Sequence, residues 1–454
     1  MKPISSSFRD QSGFVFRHKG EYYRAIREVY RKEYEKLIGS GLYTQLTRKR
    51  LLIEHKEVND ISTEQDVFRV IRPEQIPVIS YAYEWSFSML KDAAMCTLNN
   101  VLEALEFDMI LKDANTYNIQ FLNGAPLLID TLSFETYYEN QSWTAYRQFC
   151  EHFIAPLILM KYCNASLNKL LIAYPNGIPL EVCKSMLPLR ARFNVHVYLH
   201  VFLQNNLSTN RESSLKQPSS LFTKQKLMTL LNGLKSFVSS LYERKEKTTW
   251  DQYYEATITS QDYLEEKNKM VLSFLELVPF QTILDLGAND GVFSLLYTNT
   301  AKQIVALDED RNCIERLYVR CKQDRITNII PLVANVAHPS PDIGWNNEER
   351  TALFKRIQAD LTLSLALIHH LAIANNIPLE KILSWLHSLS PYLLIEFVEK
   401  EDPKVQQLLA NRKDVFDTYS LAHFKTIIAP LYVILKEGQI PGSSRMLFLL
   451  KRKE

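Results

Sequence analysis

The stretch Ile283-Leu-Asp-Leu-Gly-Ala-Asn-Asp-Gly-Val-Phe-Ser decides the fold of the C-terminal half of this chain. An apolar run, typical of a buried strand, leads into a turn of small residues and then into an apolar helical pattern. Gly287 and Gly291 permit positive φ angles, and Asn289 is one of the few other residues that tolerate them. In an open parallel sheet such a turn binds ligands, because backbone N–H groups at the helix start face the crevice beyond the strand ends.

Apolar strands alternate with helical segments on both sides of this stretch. This alternation predicts a mostly parallel sheet with helices on both faces. The last two strands are joined by Gly438-Gln-Ile-Pro-Gly-Ser-Ser, which is too short for a crossover helix, so we expect them to pair antiparallel. The predicted strands are residues 282–286, 303–308, 329–333, 359–365, 392–398, 431–435 and 446–451.

Two acids end neighbouring strands in this pattern. Asp285 lies at the end of the first strand, and Asp308 ends the next one about twenty residues later, where a carboxylate can accept hydrogen bonds from both hydroxyls of a ribose. A dinucleotide fingerprint G-x-G-x-x-G that starts at Gly287 would need glycine at positions 289 and 292, which are Asn and Val. The residues therefore argue against a dinucleotide site of that type.

Residues 246–454 resemble the class I S-adenosylmethionine-dependent methyltransferases, with Asn289 in place of the middle glycine of their acid-x-Gly-x-Gly-x-Gly pattern. The resemblance implies an α/β, Rossmann-like, seven-stranded fold and S-adenosyl-L-methionine as cofactor. It implies that the loop from Asp285 to Gly291, including Ala288, holds the amino-acid end of the cofactor, that Asp308 holds the ribose, and that Asn335 contacts the adenine. An ordinary strand-to-helix turn of another doubly wound protein stays open as the alternative.

The same resemblance implies which helix covers the cofactor and which residues lie beside the methyl acceptor. The helix with Tyr253 and Tyr263 resembles the segment that covers the cofactor at the entry of the domain. His369 and His370 follow the fourth strand, where such enzymes meet the acceptor, and either is a candidate general base. Glu396, at the end of the fifth strand, is a second candidate. Capping or packing is the alternative role for all three, and none of them identifies the acceptor.

The first half carries a different pattern, in Leu111-Lys-Asp-Ala-Asn-Thr-Tyr-Asn-Ile-Gln-Phe followed by Leu127-Leu-Ile-Asp. It resembles the catalytic core of protein-kinase-like phosphotransferases. The resemblance implies that Asp113 orients an acceptor hydroxyl, while Asn118 and Asp130 hold Mg²⁺ against the phosphates of ATP. An opening hairpin around Gly20 and a charged helix over residues 26–37 would then be the remnant of an N-terminal lobe.

Several departures put phosphotransfer in doubt. No glycine-rich loop is present, Arg24 lies near the place of the usual lysine, and Leu111-Lys112 replaces His-Arg. The last motif reads Asp130-Thr-Leu rather than Asp-Phe-Gly. A kinase-like fold without its chemistry is one interpretation, and a hairpin whose polar residues only serve the turn is the other.

The amino-acid composition narrows the classes of protein to which the chain could belong. The chain has 454 residues, with 46% hydrophobic and 23% charged, so we expect a folded protein of two or three domains. Its 53 Lys and Arg balance 51 Asp and Glu, which gives no sign of nucleic-acid binding. Apolar stretches are far shorter than the roughly 20 residues of a membrane span, and we expect no membrane partner. Six cysteines without metal spacing, and no secretory signal, favour the cytoplasm.

We therefore predict a kinase-like α+β domain over residues 1–204, a polar linker and bridging helix over 205–245, and a methyltransferase domain over 246–454. The whole chain is also similar to bacterial methyltransferases related to nodulation proteins. The predicted function is methyl transfer from S-adenosylmethionine to a small-molecule or other undetermined acceptor. A phosphotransferase, a bifunctional kinase and methyltransferase, and a non-catalytic scaffold are the alternatives.

Overall fold

The structure is a computed structural model that describes residues 2–59, 61, 65–203, 223–243, 261–410 and 413–453. It divides into two compact units. Unit 1 comprises Met1–Lys245 and Pro341–Thr351, and unit 2 comprises Glu246–Ser340 and Ala352–Glu454. The polar stretch 205–220, predicted as a linker, lies outside the described residues, as does Tyr253.

Unit 1 opens with the predicted hairpin, which the structure confirms. Strands β1 (Gly13–His18) and β2 (Glu21–Arg27) pair antiparallel. Lys19 and Gly20 join them with positive φ angles of 51° and 86°, as a two-residue turn that matches the strand twist requires. With β3 (His55–Val58) and β4 (Val67–Pro73) they form a four-stranded sheet in the order β1-β2-β4-β3.

The predicted helix over residues 26–37 begins later than expected. Strand β2 continues to Arg27 because Ile26 pairs with Arg69 on β4, and helix α1 starts at Arg31. Helix α3 spans Phe87–Glu106, and Leu98 and Val101 on its apolar face are fully buried. The bridging helix predicted before residue 245 is α9 (Lys224–Ser240), which packs against α3 inside unit 1.

The remaining elements of unit 1 are short. Two small antiparallel ladders pair β5 (Met109–Leu111) with β8 (Phe134–Thr136) and β6 (Ile119–Leu122) with β7 (Ala125–Leu128). The other α-helices are α1 (Arg31–Gly39), α2 (Leu42–Arg48), α4 (Tyr146–Phe149), α5 (Ala155–Tyr162), α6 (Leu170–Ala173), α7 (Leu180–Met186) and α8 (Val195–Val197). Two π-helical segments occupy Cys150–Ile154 and Tyr198–Leu203, and a 3₁₀ helix spans Leu189–Phe193.

Unit 2 is built on a seven-stranded sheet in the order β11-β10-β9-β12-β13-β15-β14. All pairs from β11 to β13 are parallel, and β15 runs antiparallel to both of its neighbours. The strands are β9 (Thr282–Leu286), β10 (Gln303–Asp308), β11 (Ile329–Val333), β12 (Leu361–Ser364), β13 (Tyr392–Phe397), β14 (Tyr432–Gln439) and β15 (Met446–Arg452). The structure thus confirms the mostly parallel sheet, its seven strands and the antiparallel final strand.

Helices cover this sheet. The order in which the chain visits the strands also leaves a crevice at the edge of the sheet. The α-helices are α10 (Gln261–Leu275), α11 (Val292–Leu296), α12 (Arg311–Asp324), α13 (Leu353–Arg356), α14 (Leu379–Leu389), α15 (Pro403–Leu409) and α16 (Leu421–Leu431). From β9 the chain passes to β10 and β11 on one side and returns to β12 on the other. Ligands bind at such a reversal, beyond the carboxyl ends of the strands. No helix in the described ranges has both the length and the apolar character that crossing a bilayer requires.

Candidate active site

A cavity of about 260 Å³ lies in unit 2 at the carboxyl ends of strands β9 to β12. Its wall combines the loops that follow these four strands with one side of helix α10. Its lining residues include Gly287, Asn289 and Phe293 after β9, Asp308 and Glu309 after β10, Ala334–Ala337 after β11, Leu365–Leu367 and His370 after β12, Tyr263 and Lys267 on α10, and Arg445 before β15.

The loop after β9 reaches this wall because its backbone turns sharply. Gly287, Asn289 and Gly291 have φ angles of 75°, 50° and 75°. The N–H groups of Gly287 and Ala288 both donate to the carbonyl of Leu307 at 2.9 Å, which fixes the loop against β10. Positive φ at these three positions explains the Gly-x-Asn-x-Gly pattern.

Asp308 joins the loop to the neighbouring strand. Its Oδ2 accepts the N–H of Asn289 at 2.8 Å, and its Oδ1 accepts the N–H of Asp310 at 2.7 Å. A carboxylate offers about four acceptor positions, so these two bonds leave acceptor capacity at the cavity wall. Burial raises the pKa of Asp308 to about 6, against the opposing effect of the two backbone hydrogen bonds.

Asp285 lies inside the sheet rather than on the cavity wall. It is 2% exposed, and its Oδ2 accepts the hydroxyl of Ser294 at 2.7 Å, which ties β9 to helix α11. Burial, and to a smaller degree the charge of Asp308, raise its pKa to about 6. Keeping both acids ionised at neutral pH therefore lowers the stability of the fold, as is typical of a binding site.

Two other predicted cofactor residues also lie behind the wall. Ala288 is 3% exposed and packs in the apolar core of unit 2. A Cβ atom on Gly291 would lie 2.6 Å from a methyl group of Leu317, so this glycine lets the loop approach helix α12. Gly287 and Asn289 are the loop residues that reach the cavity.

Asn335 shapes the wall beyond β11. Its Oδ1 accepts the N–H groups of Ala337 at 2.8 Å and His338 at 3.0 Å, so the side chain closes a tight turn of its own backbone. Asn335 and its neighbours then form one end of the cavity, opposite the loops that follow β12.

The two histidines after β12 occupy different places. His370 lines the cavity and begins a π-helical turn, His370–Ala374. His369 is fully buried behind it, where no described residue forms a hydrogen bond with either ring nitrogen, and the two ring centroids are 4.2 Å apart. Burial lowers the pKa of His370 to about 4 and that of His369 well below its ordinary value, so both rings are neutral at pH 7.

Glu396 lies beneath the wall at the centre of a buried ionic network. Its carboxylate accepts from Lys267 Nζ at 2.5 Å, and from Arg445 Nη1 and the hydroxyl of Tyr263 at 3.3 Å each. A second acid, Asp402, accepts from Arg445 Nε at 2.8 Å. Burial alone would raise the pKa of Glu396, but the two cations outweigh it and hold that pKa below its usual value.

Sequence reasoning found only part of this network. Tyr263 and Lys267 belong to the predicted covering helix, but Arg445 and Asp402 were not singled out. The available signal was a single arginine at the entrance to an otherwise apolar final strand, Arg445-Met-Leu-Phe-Leu-Leu. Lys267, Tyr263 and Arg445 reach the cavity, whereas Glu396 orients them from below.

In unit 1 the fold brings the predicted phosphotransfer residues together. Asn118 Nδ2 donates to Asp113 Oδ2 at 3.1 Å and to Ser133 Oγ at 3.2 Å. Ser133 Oγ in turn donates to Asp130 Oδ2 at 2.7 Å. Arg24 on β2 completes the cluster, with Nη1 2.6 Å from Asp130 Oδ1.

No protein-family model matches the chain. A comparison with curated proteins finds the nodulation protein NoeA of Rhizobium meliloti (strain 1021), 30% identical over 462 aligned residues that span 99% of this chain and 96% of that protein. The chain belongs to the NoeA family. The alignment of this NoeA-family chain covers both units, so the polar cluster of unit 1 and the cavity of unit 2 fall within the shared length.

Solved structures similar to this NoeA-family chain include the N-methyltransferase NodS from Bradyrhizobium japonicum WM9 in complex with S-adenosyl-L-homocysteine. That match is 13% identical, covers 46% of this chain and all of NodS, and has a TM-score of 0.34. Another is the bifunctional kinase-methyltransferase WbdD, at 19% identity, 48% of this chain, 46% of WbdD and a TM-score of 0.30.

The unit 1 cluster of this NoeA-family chain does not fit a magnesium ion. Both carboxylate oxygens of Asp130 are engaged, one by Arg24 and the N–H of Leu132, the other by Ser133. A guanidinium thus takes the place that a divalent cation would need beside this acid. Within the residues that the structure describes, no group of three or more His, Cys, Asp or Glu side chains is arranged to hold a metal.

This arrangement predicts that Mg²⁺ and ATP leave the protein unchanged. A ligand present at a hundred times its dissociation constant would stabilise its unit by about 2.7 kcal/mol, which a thermal unfolding scan resolves easily. We expect no such shift when both are added together. A Mg²⁺-dependent shift that disappears in Asp130→Asn would contradict this prediction and restore the phosphotransferase hypothesis.

Proposed function

We propose that the protein transfers a methyl group from S-adenosyl-L-methionine to an acceptor that binds beside His370. One observation carries the proposal: Asp308, held by the N–H of Asn289, lines the same cavity as Gly287 and Asn289, at the reversal point of the sheet. A carboxylate suited to two ribose hydroxyls and a glycine-containing loop are thus combined in one wall.

The lining residues fit the proposed cofactor along its length. Asn335 and the turn that it closes would border the adenine, and Asp308 would accept from the ribose hydroxyls. Gly287, where a Cβ would lie 3.4 Å from Leu367, leaves the backbone open to the amino-acid end. Lys267, which lines the same wall and is held by Glu396, would meet the carboxylate of that end.

The chemistry that the cofactor supplies when bound is an already activated methyl group on a sulfonium. The protein is then left with the task of holding the acceptor in line and excluding water. Leu365, Leu367 and Leu371 supply an apolar wall on the acceptor side, next to His370. His370 is neutral at pH 7 and would receive the proton that the acceptor releases, as a weak base because burial lowers its pKa to about 4.

The backbone conformation of Ala366, on the acceptor side of the cavity, indicates a functional constraint. It lines the cavity with a φ angle of 51°, in a region that alanine rarely adopts. Left-handed backbone at such a residue costs roughly 1 to 2 kcal/mol, and strain of this kind gathers at ligand sites. We propose that it turns the chain from β12 toward the acceptor.

A ligand test decides between the proposed function and its rivals. We expect mass spectrometry of the gently purified protein to find S-adenosylmethionine or S-adenosylhomocysteine, and calorimetric titration to show binding of S-adenosylhomocysteine. NADH and ATP, titrated in parallel, should give no heat of binding. Binding of NADH in place of S-adenosylhomocysteine would contradict the proposal, and binding of none of the three would favour a non-catalytic scaffold.

The raised pKa of Asp308, about 6, predicts how binding depends on pH. Bonding to the ribose favours the ionised acid, so below pH 6 the protein must release a proton to bind. Affinity for S-adenosylhomocysteine should be level above about pH 7 and fall by up to about tenfold per pH unit and per proton below 6. His370→Gln should keep this profile. Equal affinity at pH 5 and pH 8 would contradict the assignment.

We also place the protein in a reducing compartment such as the cytoplasm. All six cysteines are unpaired, and five of them are buried. Burial raises the pKa of Cys96 and Cys150 to about 12, so these thiols stay protonated and unreactive at neutral pH.

A further inference from the structure

We propose that unit 1 binds the surface of an anionic lipid membrane through the segment 186–203, called here the basic apolar surface. It comprises the 3₁₀ helix Leu189–Phe193, helix α8 and the π-helical segment Tyr198–Leu203. This proposal is independent of the cavity in unit 2, since every residue that it uses belongs to unit 1.

Large apolar side chains are concentrated on this surface. Within the described ranges, 19 such side chains are exposed, and seven of these lie in the 18 residues from Met186 to Leu203. Phe193 is 89% exposed, Val195 71% and Leu189 70%. The other four members are Met186, Tyr198, Leu199 and Leu203. This concentration of exposed apolar side chains in one segment differs from the scattered apolar residues of an ordinary protein surface and indicates a docking site.

The helical part of the surface is apolar on both sides. Val197 and Val201 are fully buried and attach the segment to unit 1. Tyr198, Leu199 and Leu203 point to solvent instead. A helix that is apolar all round is normally buried, so the outer side of this one is expected to be covered when the protein works.

The charges of the basic apolar surface indicate which kind of partner it binds. Residues 186–203 include Arg190 and Arg192 but no Asp or Glu. Arg190 and Arg192 are both exposed, and the guanidinium of Arg192 lies 5.2 Å from the ring centre of Phe202. Cations that flank exposed aromatic and aliphatic side chains are the pattern of a segment lying in a membrane interface, where anionic headgroups meet the cations and acyl chains meet the apolar groups.

A second copy of the chain fits this surface less well. A two-fold contact buries the same surface on both partners, so it would collect Arg190 and Arg192 of both copies in one interface. Such like-charge contacts are destabilising, and no acid of the surface offsets them. This proposal departs from the expectation, drawn from overall charge, that the protein has no membrane partner, because a near-neutral total does not report how charge is distributed over one segment. The contact is peripheral, because no described helix is able to span a bilayer.

Vesicle flotation with the full chain tests the proposal. We expect binding to phosphatidylcholine vesicles in which about a third of the lipid is phosphatidylglycerol, and little binding to phosphatidylcholine alone. Arg190→Gln with Arg192→Gln should weaken binding about 25-fold, since each cation near an anionic surface contributes about fivefold. Leu189→Ser with Phe193→Ser should weaken it at least about tenfold.

A matched control removes two exposed apolar side chains elsewhere in unit 1. Val29→Ser with Tyr138→Ser, at positions 76% and 68% exposed, should leave vesicle binding unchanged. Sedimentation velocity on the same proteins, without lipid, reports self-association. The proposal is overturned if the wild-type protein ignores anionic vesicles, or if the Leu189 and Phe193 variant binds them as well as the control. A dimer that this variant dissolves, without vesicle binding, would instead assign the surface to a protein partner.

Discussion

Asp308→Ala is expected to weaken the binding of S-adenosylhomocysteine by at least about a hundredfold. A hydrogen bond to a charged group contributes about 1.5 to 3 kcal/mol, and the proposed site makes two of them to the ribose. The loss of both would reduce affinity by roughly two to four powers of ten. Calorimetric titration at pH 7.5, where the carboxyl is ionised, measures this effect directly.

The neighbouring residue provides the control for this experiment. Glu309 also lines the cavity, but its side chain is exposed and is not held by the loop. Glu309→Ala should therefore change affinity by less than about threefold, as expected for an exposed charge. Asp308→Ala also frees the N–H groups of Asn289 and Asp310, so its thermal unfolding is recorded without ligand. Equal affinities of Asp308→Ala and the wild-type protein would exclude Asp308 from the site.

Glu396→Ala is expected to have the largest effect on stability, a loss of about 3 to 5 kcal/mol from unit 2. The carboxylate is fully buried between Lys267 and Arg445, whose side chains are 5% and 3% exposed. Removing it leaves two buried cations with Asp402 as the remaining acid of the network. Hydrogen exchange in peptides from β12 and β13 reports the opening of unit 2 apart from unit 1.

An exposed ion pair on the same helix as Lys267 serves as the comparison. Glu266 and Lys269 are 43% and 69% exposed, and Glu266→Ala should cost less than about 1 kcal/mol. The pKa of Glu396 is lower in the folded protein than in the unfolded chain. Its stabilising contribution is therefore complete above the unfolded value of about 4.3 and is lost as the pH falls through the folded value. Similar exchange rates in Glu396→Ala and Glu266→Ala would show that the network does not stabilise the sheet.

The strands of unit 2 could be predicted because their burial is visible locally. Strands buried on both faces have nearly continuous apolar sequences, and those at 282–286, 303–308 and 329–333 have the predicted bounds. The order of the strands within the sheet could not be predicted in the same way. It depends on which strands exchange hydrogen bonds, and no local pattern indicates that β9 lies between β10 and β12.

Unit 1 shows how tertiary pairing overrides local preference. The predicted helix over residues 26–37 includes Ile26 and Arg27, yet both stay extended because β4 offers backbone partners. Strand β3, His55-Lys-Glu-Val, was not predicted, since it is short and mostly polar. Its antiparallel pairing with β4 keeps it extended, although its composition does not favour a strand.

By itself the sequence determined the parts that depend on neighbours along the chain: the apolar strands, the Gly-x-Asn-x-Gly turn with its positive φ angles, and the acid at the end of each of two strands. Only the tertiary structure decided which polar groups meet. It paired Arg24 with Asp130, and Arg445 with Glu396 and Asp402, across long separations in sequence. It also left Asp308 on the cavity wall and Asp285 behind it. The reason is physical: backbone conformation follows from local sterics, whereas burial and ionic contacts depend on residues brought together from distant parts of the chain.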